Sequence, residues 1–167
     1  MALRELRYFG APVLKTVCEP VTRFDKALES LVTDLLDTVK PAGRAGLAAP
    51  QIGYELRVFS YDVDGQFGYV INPEIVDVSA ATHEIDEGCL SVPGLSFPVA
   101  RAEHAVVRGV DLRNEPVVVE GKDVMAQCLQ HETDHLNGML YLDRLSKDRR
   151  RQALREMRGR AWFSTNG

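Results

Sequence analysis

Gln130-His131-Glu132-Thr133-Asp134-His135-Leu136-Asn137-Gly138 is the stretch from which the rest of the chain can be read. It contains His-Glu-x-x-His. On an α-helix, positions i and i+4 lie on one face, so His131 and His135 can both turn an imidazole nitrogen toward a single metal ion. Glu132 follows the first of them, where a carboxylate can reach the water that such a metal activates without itself being a ligand. That arrangement suits hydrolysis: the metal lowers the pKa of water toward ~7 and the carboxylate moves its protons. The helix has independent support. Val124, Cys128, His131 and His135 fall at i, i+4, i+7 and i+11, a single stripe, and Asn137-Gly138 supplies residues that end a helix in a left-handed conformation. On this stretch alone the competing reading is a helix with two unrelated histidines, one satisfied in the core and one exposed.

Working outward, 167 residues fit one domain with a core large enough to fold unaided, spanning residues 1–167. With 45% hydrophobic and 26% charged residues, the composition is that of an ordinary globular protein. Cys18, Cys89 and Cys128 are an odd and sparse set, which argues against a disulfide framework and for a reducing compartment. Met1-Ala2-Leu3-Arg4-Glu5-Leu6-Arg7 has no apolar leader segment, and no run approaches membrane-spanning length. The expectation is a cytoplasmic protein with neither a membrane nor DNA as partner.

Phe24-Asp25 opens the clearest helix, with Leu28, Leu31, Val32, Leu35, Leu36 and Val39 as its apolar face and Asp25 as its N-cap. Lys40-Pro41-Ala42-Gly43 ends it. Arg44-Ala45-Gly46-Leu47-Ala48-Ala49-Pro50-Gln51-Ile52-Gly53 is rich in small residues around a lone glutamine, as where backbone is approached closely and one polar side chain is aimed at the visitor. It has no phosphate-loop spacing and no Gly-Lys-Ser/Thr, which makes nucleotide binding a poor reading. A β-rich middle follows. Leu56 to Tyr61 and Tyr69 to Asn72 flank Asp64-Gly65, a hairpin signal. Ile75 to Ser79, Ala105 to Leu112 and Pro116 to Glu120 add short strands, the last two joined at Arg113-Asn114-Glu115. The short connections carry no crossover helix, so the expected sheets are antiparallel. Asp86-Glu87-Gly88-Cys89-Leu90-Ser91-Val92-Pro93-Gly94 is expected to present Cys89 from a loop or a strand edge. Cys18 is expected to be a buried apolar residue, and Cys128, on the histidine stripe, pocket wall rather than a ligand. The expected fold class is α+β: short antiparallel β-sheets packed around a central metal-binding helix, with an N-terminal amphipathic helix and a C-terminal basic helix.

Two histidines leave at least one protein ligand to be found. In the extended metalloprotease motif a third His stands three residues after the glycine; Gly138 fits, but Tyr141 occupies the ligand position. In the His₂Glu class the only downstream glutamate is Glu156, whose arginine-rich surroundings also supply a salt-bridge explanation. The third reading takes Cys89. Gly46-Leu-Ala-Ala-Pro-Gln51, Glu87-Gly-Cys-Leu-Ser91 and Gln130-His-Glu-x-Asp-His135 occur in that order and resemble the three signature motifs of the peptide deformylase family. The likeness extends to Gly10-Ala-Pro-Val-Leu14 and Ile71-Asn72-Pro73 and covers about residues 4 to 145, in the manner of the bacterial type 1 branch. In the first motif Arg44-Ala45-Gly46 departs from the family's usual Gly-hydrophobic-Gly.

The resemblance implies a hydrolase that removes the formyl group from N-formylmethionyl nascent peptides. Cys89, His131 and His135 would hold one divalent metal, Fe(II) in the cell, with Zn(II), Ni(II) or Co(II) as possible replacements. Glu132 would move the protons, and the Gln51 amide with the Leu90 backbone N–H would form an oxyanion hole. Val124, Cys128 and Ala45 are the expected wall of a methionine pocket, and Gly46 would let the substrate backbone pair like an added strand. A metal-binding homologue that recognises formyl-methionine without cleaving it is the non-enzymatic alternative, although such a binder would not need Glu132.

The charge is unevenly placed. Residues 144 to 160 carry eight Arg/Lys against Asp148 and Glu156, so this segment is +6 within a chain of −4 and the remainder is −10. Ser146 is the expected cap of a helix over Lys147 to about Arg158, ended by Gly159, with Ala153, Leu154 and Met157 as its docking face. Its arginines suggest ribosomal RNA near the exit tunnel as a partner, against the plainer reading of a solvated basic helix.

Overall fold

The computed structural model describes residues 3–41 and 43–165. Its first α-helix, α1 (Lys26–Val39), begins where the Asp25 carboxylate accepts the Leu28 N–H at 3.1 Å, as a capping aspartate should. Leu28, Leu31, Val32, Leu35 and Val39 are buried, the face that their spacing predicts. A five-stranded antiparallel sheet follows in the order β1-β2-β3-β6-β7, with β1 Gly46–Ala48, β2 Val58–Val63, β3 Gln66–Val78, β6 His104–Val110 and β7 Pro116–Lys122. β4 (Thr82–Cys89) and β5 (Val92–Ala102) form a separate two-stranded antiparallel sheet. Asp64 and Gly65, with φ of 49° and 81°, make the two-residue turn between β2 and β3.

Alternation along the strands loads both faces of the larger sheet. Leu47, Val58 and Ile71 pack with α1, whereas Ala48, Phe59, Val70, Ala105 and Val107 pack with Met125, Ala126, Leu129 and Leu136 of α2 (Val124–Leu136). Being covered by sheet on one side and by further chain on the other, α2 is buried almost all round. Gly138, at φ 74°, closes its C-terminal end against the Lys15 carbonyl, which a Cβ would meet at 2.8 Å.

The basic helix α3 (Lys147–Arg158) is capped by the Ser146 side chain and docks through Ala153 and Met157 onto Val92, Leu95, Phe97 and Val99 of β5. A short helix that the sequence did not announce, α4 (Ala161–Thr165), follows it. Phe163 stacks on Phe9, and Trp162 lies 5.7 Å from Tyr8 between ring centroids.

Of the two settings expected for Cys89, a loop or a strand edge, the strand is the one found: Cys89 ends β4, which pairs with β5 from Thr82↔Ala102 to Cys89↔Val92 in a two-stranded sheet. The sequence of β4, Thr-His-Glu-Ile-Asp-Glu-Gly-Cys, is too acidic to advertise a strand; pairing with β5 and burial of Glu87 override that local composition. The runs Tyr69–Asn72 and Ile75–Ser79 are one strand rather than two. β3 passes Pro73 through a register shift, with Asn72 at φ 51° and its side-chain amide bonded to both the N–H and the carbonyl of Val21.

Candidate metal centre and substrate cleft

α2 places His131 and His135 on its inner face, and the β4–β5 hairpin brings Cys89 to them from a separate sheet. The two Nε2 atoms are 3.2 Å apart, and Cys89 Sγ is 3.4 Å from His135 Nε2. All three ligand atoms lie within 4.8 Å of one another. Bonds of about 2.0–2.3 Å to a tetrahedral ion would set such atoms about 3.3–3.6 Å apart, so the spacing fits one cation in their midst. A thiolate and two imidazoles also form the donor set that late first-row divalent metals prefer.

The orientation of these ligands is built in. Ser91 N–H donates to Cys89 Sγ at 3.4 Å, and Gln51 Nε2 approaches the same sulfur at 3.7 Å. His131 Nδ1 lies 2.6 Å from the Glu87 carboxylate, which leaves Nε2 as the metal-facing lone pair. Glu87 is held in turn by Arg101, through Nε at 2.9 Å and Nη2 at 2.5 Å. Arg101 also donates to Asp134 at 2.8 Å, and Arg144 forks onto both Asp134 oxygens at 2.6 and 2.8 Å. A chain of charges thus runs Arg144–Asp134–Arg101–Glu87–His131, with Arg101 and Glu87 only 2% and 3% exposed. Burial alone would raise the Glu87 carboxyl, but bonds from Arg101 and His131 outweigh it and hold the group at about 2. Burial likewise disfavours charge on His131, yet Cys89 and Glu87 outweigh it and push the imidazole well above its ordinary range. His135, buried and facing His131 and Arg101, is pushed well below.

Glu132 is 3% exposed, and its Oε1 lies 3.9 Å from His131 Nε2. Its Oε2 has no hydrogen-bond partner among the described residues. Burial, the largest effect, pushes its carboxyl up to about 7. Such a group can both accept and return a proton near neutral pH. Gln51 is 1% exposed and rigidly presented: its Oε1 accepts the Ala48 N–H at 2.9 Å and its Nε2 donates to Ser91 Oγ at 3.1 Å. Gly46 is where no side chain fits. A Cβ there would sit 2.7 Å from Glu132 Oε1 and 2.8 Å from Cys128 Sγ.

These groups line a cleft of about 620 Å3, in the size range of small-ligand sites. Ala45, Gly46, Gln51, Cys89, Leu90, Cys128, His131 and Glu132, all singled out in the sequence, share its wall. Burial pushes the Cys128 thiol well up, so it remains a neutral wall residue, and it donates to the Ala45 carbonyl at 3.4 Å. Among the residues expected to wall the methionine pocket, Val124 is the exception. It is 45% exposed and does not line the cleft, because it sits a full helical turn before Cys128 at the solvent-facing start of α2. Gln127 lines the cleft instead. Glu156 lies on exposed α3 and accepts from Gln152 at 3.1 Å, apart from the metal-ligand group.

The sequence model of the polypeptide deformylase family matches residues 3–151. The chain belongs to the peptide deformylase family. A peptide deformylase of Acidothermus cellulolyticus is 53% identical over 162 residues, covering 97% of this chain and 89% of that protein. One from Parafrankia is 46% identical over 163 residues, with the same coverage of 97% and 89%. The crystal structure of a peptide deformylase from Legionella pneumophila shares the fold with a TM-score of 0.90 at 38% identity, over 99% of each chain. As a deformylase, the chain is a metal-dependent hydrolase of protein N-terminal processing that removes the formyl group from formyl-methionyl peptides.

Reading the sequence assigned no role to Glu87, Arg101, Asp134, Arg144 or Ser91. Glu87, Ser91 and Asp134 stand inside the quoted motifs, where an acidic residue two places before a ligand and another on a buried helix face were the available signals. Arg101, between two alanines on β5, carried none.

Proposed function

We propose that Cys89, His131 and His135 are the ligands of one divalent metal, that Glu132 is the general acid–base, and that Gln51 with the Leu90 backbone N–H stabilises the oxyanion. The observation that carries this reading is the convergence of three lone-pair atoms beside a buried carboxylate held near neutrality. When bound, the metal supplies a Lewis acid that activates water and polarises the formyl carbonyl. Glu132 takes a proton from the attacking water and returns one to the departing amine, so formate and a free N-terminal methionine leave. Both ends of the Gln51 amide are engaged, and its Nε2 lies 3.7 Å from Cys89 Sγ, beside the proposed metal, from where it would donate to the oxygen on which charge develops. Ala45 and Cys128 contribute to the methionine pocket, and the Gly46 backbone pairs with the extended substrate. The deciding experiment measures formate release from formyl-Met-Ala-Ser by protein purified anaerobically, with metal analysis of the same sample. Glu132→Ala should retain the metal and lose turnover by roughly 10²–10⁴-fold. Loss of metal together with activity would refute its role in proton transfer.

Fe(II) is the metal proposed in the cell, with Zn(II), Ni(II) and Co(II) as replacements; a nickel form that tolerates air while the iron form does not would support iron. The chain is read as one catalytic domain working in the cytoplasm, where three free cysteines are at home. No described helix is long and apolar enough to cross a membrane. Ribosomal RNA is the proposed partner of α3. Arg149 and Arg150 are engaged with the body, through the Pro98 carbonyl at 3.3 Å and Asp143 at 2.5 Å, so Arg151, Arg155 and Arg158 are the phosphate-facing set. Replacing those three with Ser should weaken ribosome binding and flatten its salt dependence, by a log–log slope of about 0.7–0.9 for each phosphate no longer neutralised.

A further inference from the structure

Arg44 stands where the first motif departs from the family pattern, and it lines the cleft. It is half-buried, and its Nη1 donates to the Thr38 carbonyl at 2.6 Å, in the last turn of α1. That bond satisfies a carbonyl at the helix end but neutralises no charge, and no acidic side chain pairs with Arg44 among the described residues. Gly43, at φ 87°, has open space where a Cβ would be, so the chain enters the cleft wall here at the mouth. The cleft's acidic groups do not offset Arg44. Glu87 is engaged by Arg101 and His131, and Glu132 lies on the floor beside His131. Across the cleft, Gly94 of β5 lines the wall, and Arg160, which does not itself line the cleft, donates from Nη2 to the Gly94 carbonyl at 3.3 Å. Among the described residues Arg44 is therefore the one arginine or lysine lining the cleft, in a chain whose net charge is −4.

β1 is an edge strand of the larger sheet, paired only with β2, so its other edge is available to an extended peptide. Gly46 adjoins Glu132 at the reacting centre, and Arg44 is two residues further along the same wall. At about 3.3 Å per residue this is a displacement of roughly 6–7 Å, within one or two substrate residues of the methionine. We infer that Arg44 is a specificity-determining residue: it favours formyl-methionyl peptides with Asp or Glu at the second or third position over those with Lys or Arg there. The inference rests on the deformylase reading and goes beyond it, since the reaction itself needs no charge at position 44.

The test compares kcat/KM of the metal-loaded enzyme for formyl-Met-Asp-Ala and formyl-Met-Ala-Asp against their Lys counterparts. All peptides are C-terminally amidated to remove the terminal carboxylate, and each value is normalised to formyl-Met-Ala-Ala amide measured with the same variant. The acidic peptides should be preferred by roughly 3–10-fold at low ionic strength, mainly through KM, and the preference should shrink in about 0.5 M salt. Arg44→Gln, which keeps a donor for the Thr38 carbonyl but no charge, should abolish most of the preference, and Arg44→Lys should retain it. The ratio is internal to each variant, so a partial loss of folded protein does not move it. Equal rates for acidic and basic peptides, or a preference that survives Arg44→Gln, would overturn the inference. Absence of formate from every peptide would overturn the deformylase reading with it; turnover without charge preference overturns this inference alone.

Discussion

Replacing Glu87 with Gln removes one negative charge from the buried chain that orients His131 while keeping nearly the same shape. The wild-type carboxylate accepts two bonds from Arg101 and faces His131 Nδ1 at 2.6 Å, and both Arg101 and Glu87 are sheltered from solvent. Breaking a buried, hydrogen-bonded pair by neutralising one partner costs about 3–5 kcal/mol. Linkage supplies a second estimate. Moving a carboxyl from 4.5 to about 2 contributes about 3 kcal/mol at neutral pH. For a chain of this size a loss of about 3–5 kcal/mol should lower Tm by roughly 6–20 °C. A glutamine NH₂ set against Nδ1 or against Arg101 also disturbs the imidazole that Glu87 fixes, so metal affinity should fall by about 10–100-fold. Thermal unfolding at saturating metal reads the first effect, and metal titration against a competing chelator reads the second. Unchanged Tm and unchanged metal affinity in Glu87→Gln would refute the argument that this charge chain organises the site. The pH dependence has a definite sign. Because the folded-state value lies below the unfolded one, Glu87 stabilises fully above about 4.5, and its contribution should be lost as pH falls from there toward about 2.

Gly46→Ala should lower kcat by roughly 10-fold or more, as a misplaced catalytic group does, because its Cβ meets Glu132 and Cys128 below 3 Å; full activity would mean that the floor of the cleft relaxes freely. Gln51→Ala should lower kcat by about 10²–10³ with a smaller effect on KM, and an effect confined to KM would move Gln51 from the oxyanion to ground-state binding. Cys89→Ala should strip or greatly weaken metal binding while Glu156→Ala leaves it intact, as metal analysis after desalting would read; the opposite result would return the third ligand to Glu156. Trp162→Ala removes a donor to the Pro93 carbonyl at 3.1 Å and a ring beside Tyr8, both at the cleft, so KM for formyl-Met-Ala-Ser should rise; a KM equal to wild type would show that α4 does not set the wall.

Local chemistry determined what could be read without coordinates. The i, i+4 spacing put both histidines and the stripe through Cys128 on one helix face, Asp25 and Ser146 capped the helices they were expected to cap, and Asp64-Gly65 turned the hairpin. Each depends on a few neighbouring residues and on backbone stereochemistry, which sequence carries directly. Tertiary structure decided the remainder. Cys89 joins the histidines only because β4 pairs with β5 and the hairpin packs beside α2, a contact between positions 46 residues apart that no periodicity encodes. Glu87, Arg101, Asp134 and Arg144 are ordinary charged residues in the sequence and become a connected chain only when burial removes the water that would otherwise satisfy each one separately. The same reason separates Val124 from Cys128 and ties Arg149 and Arg150 to the body of the protein while Arg151 is exposed: exposure and partner are properties of the packed chain, whereas residue type and spacing are properties of the sequence.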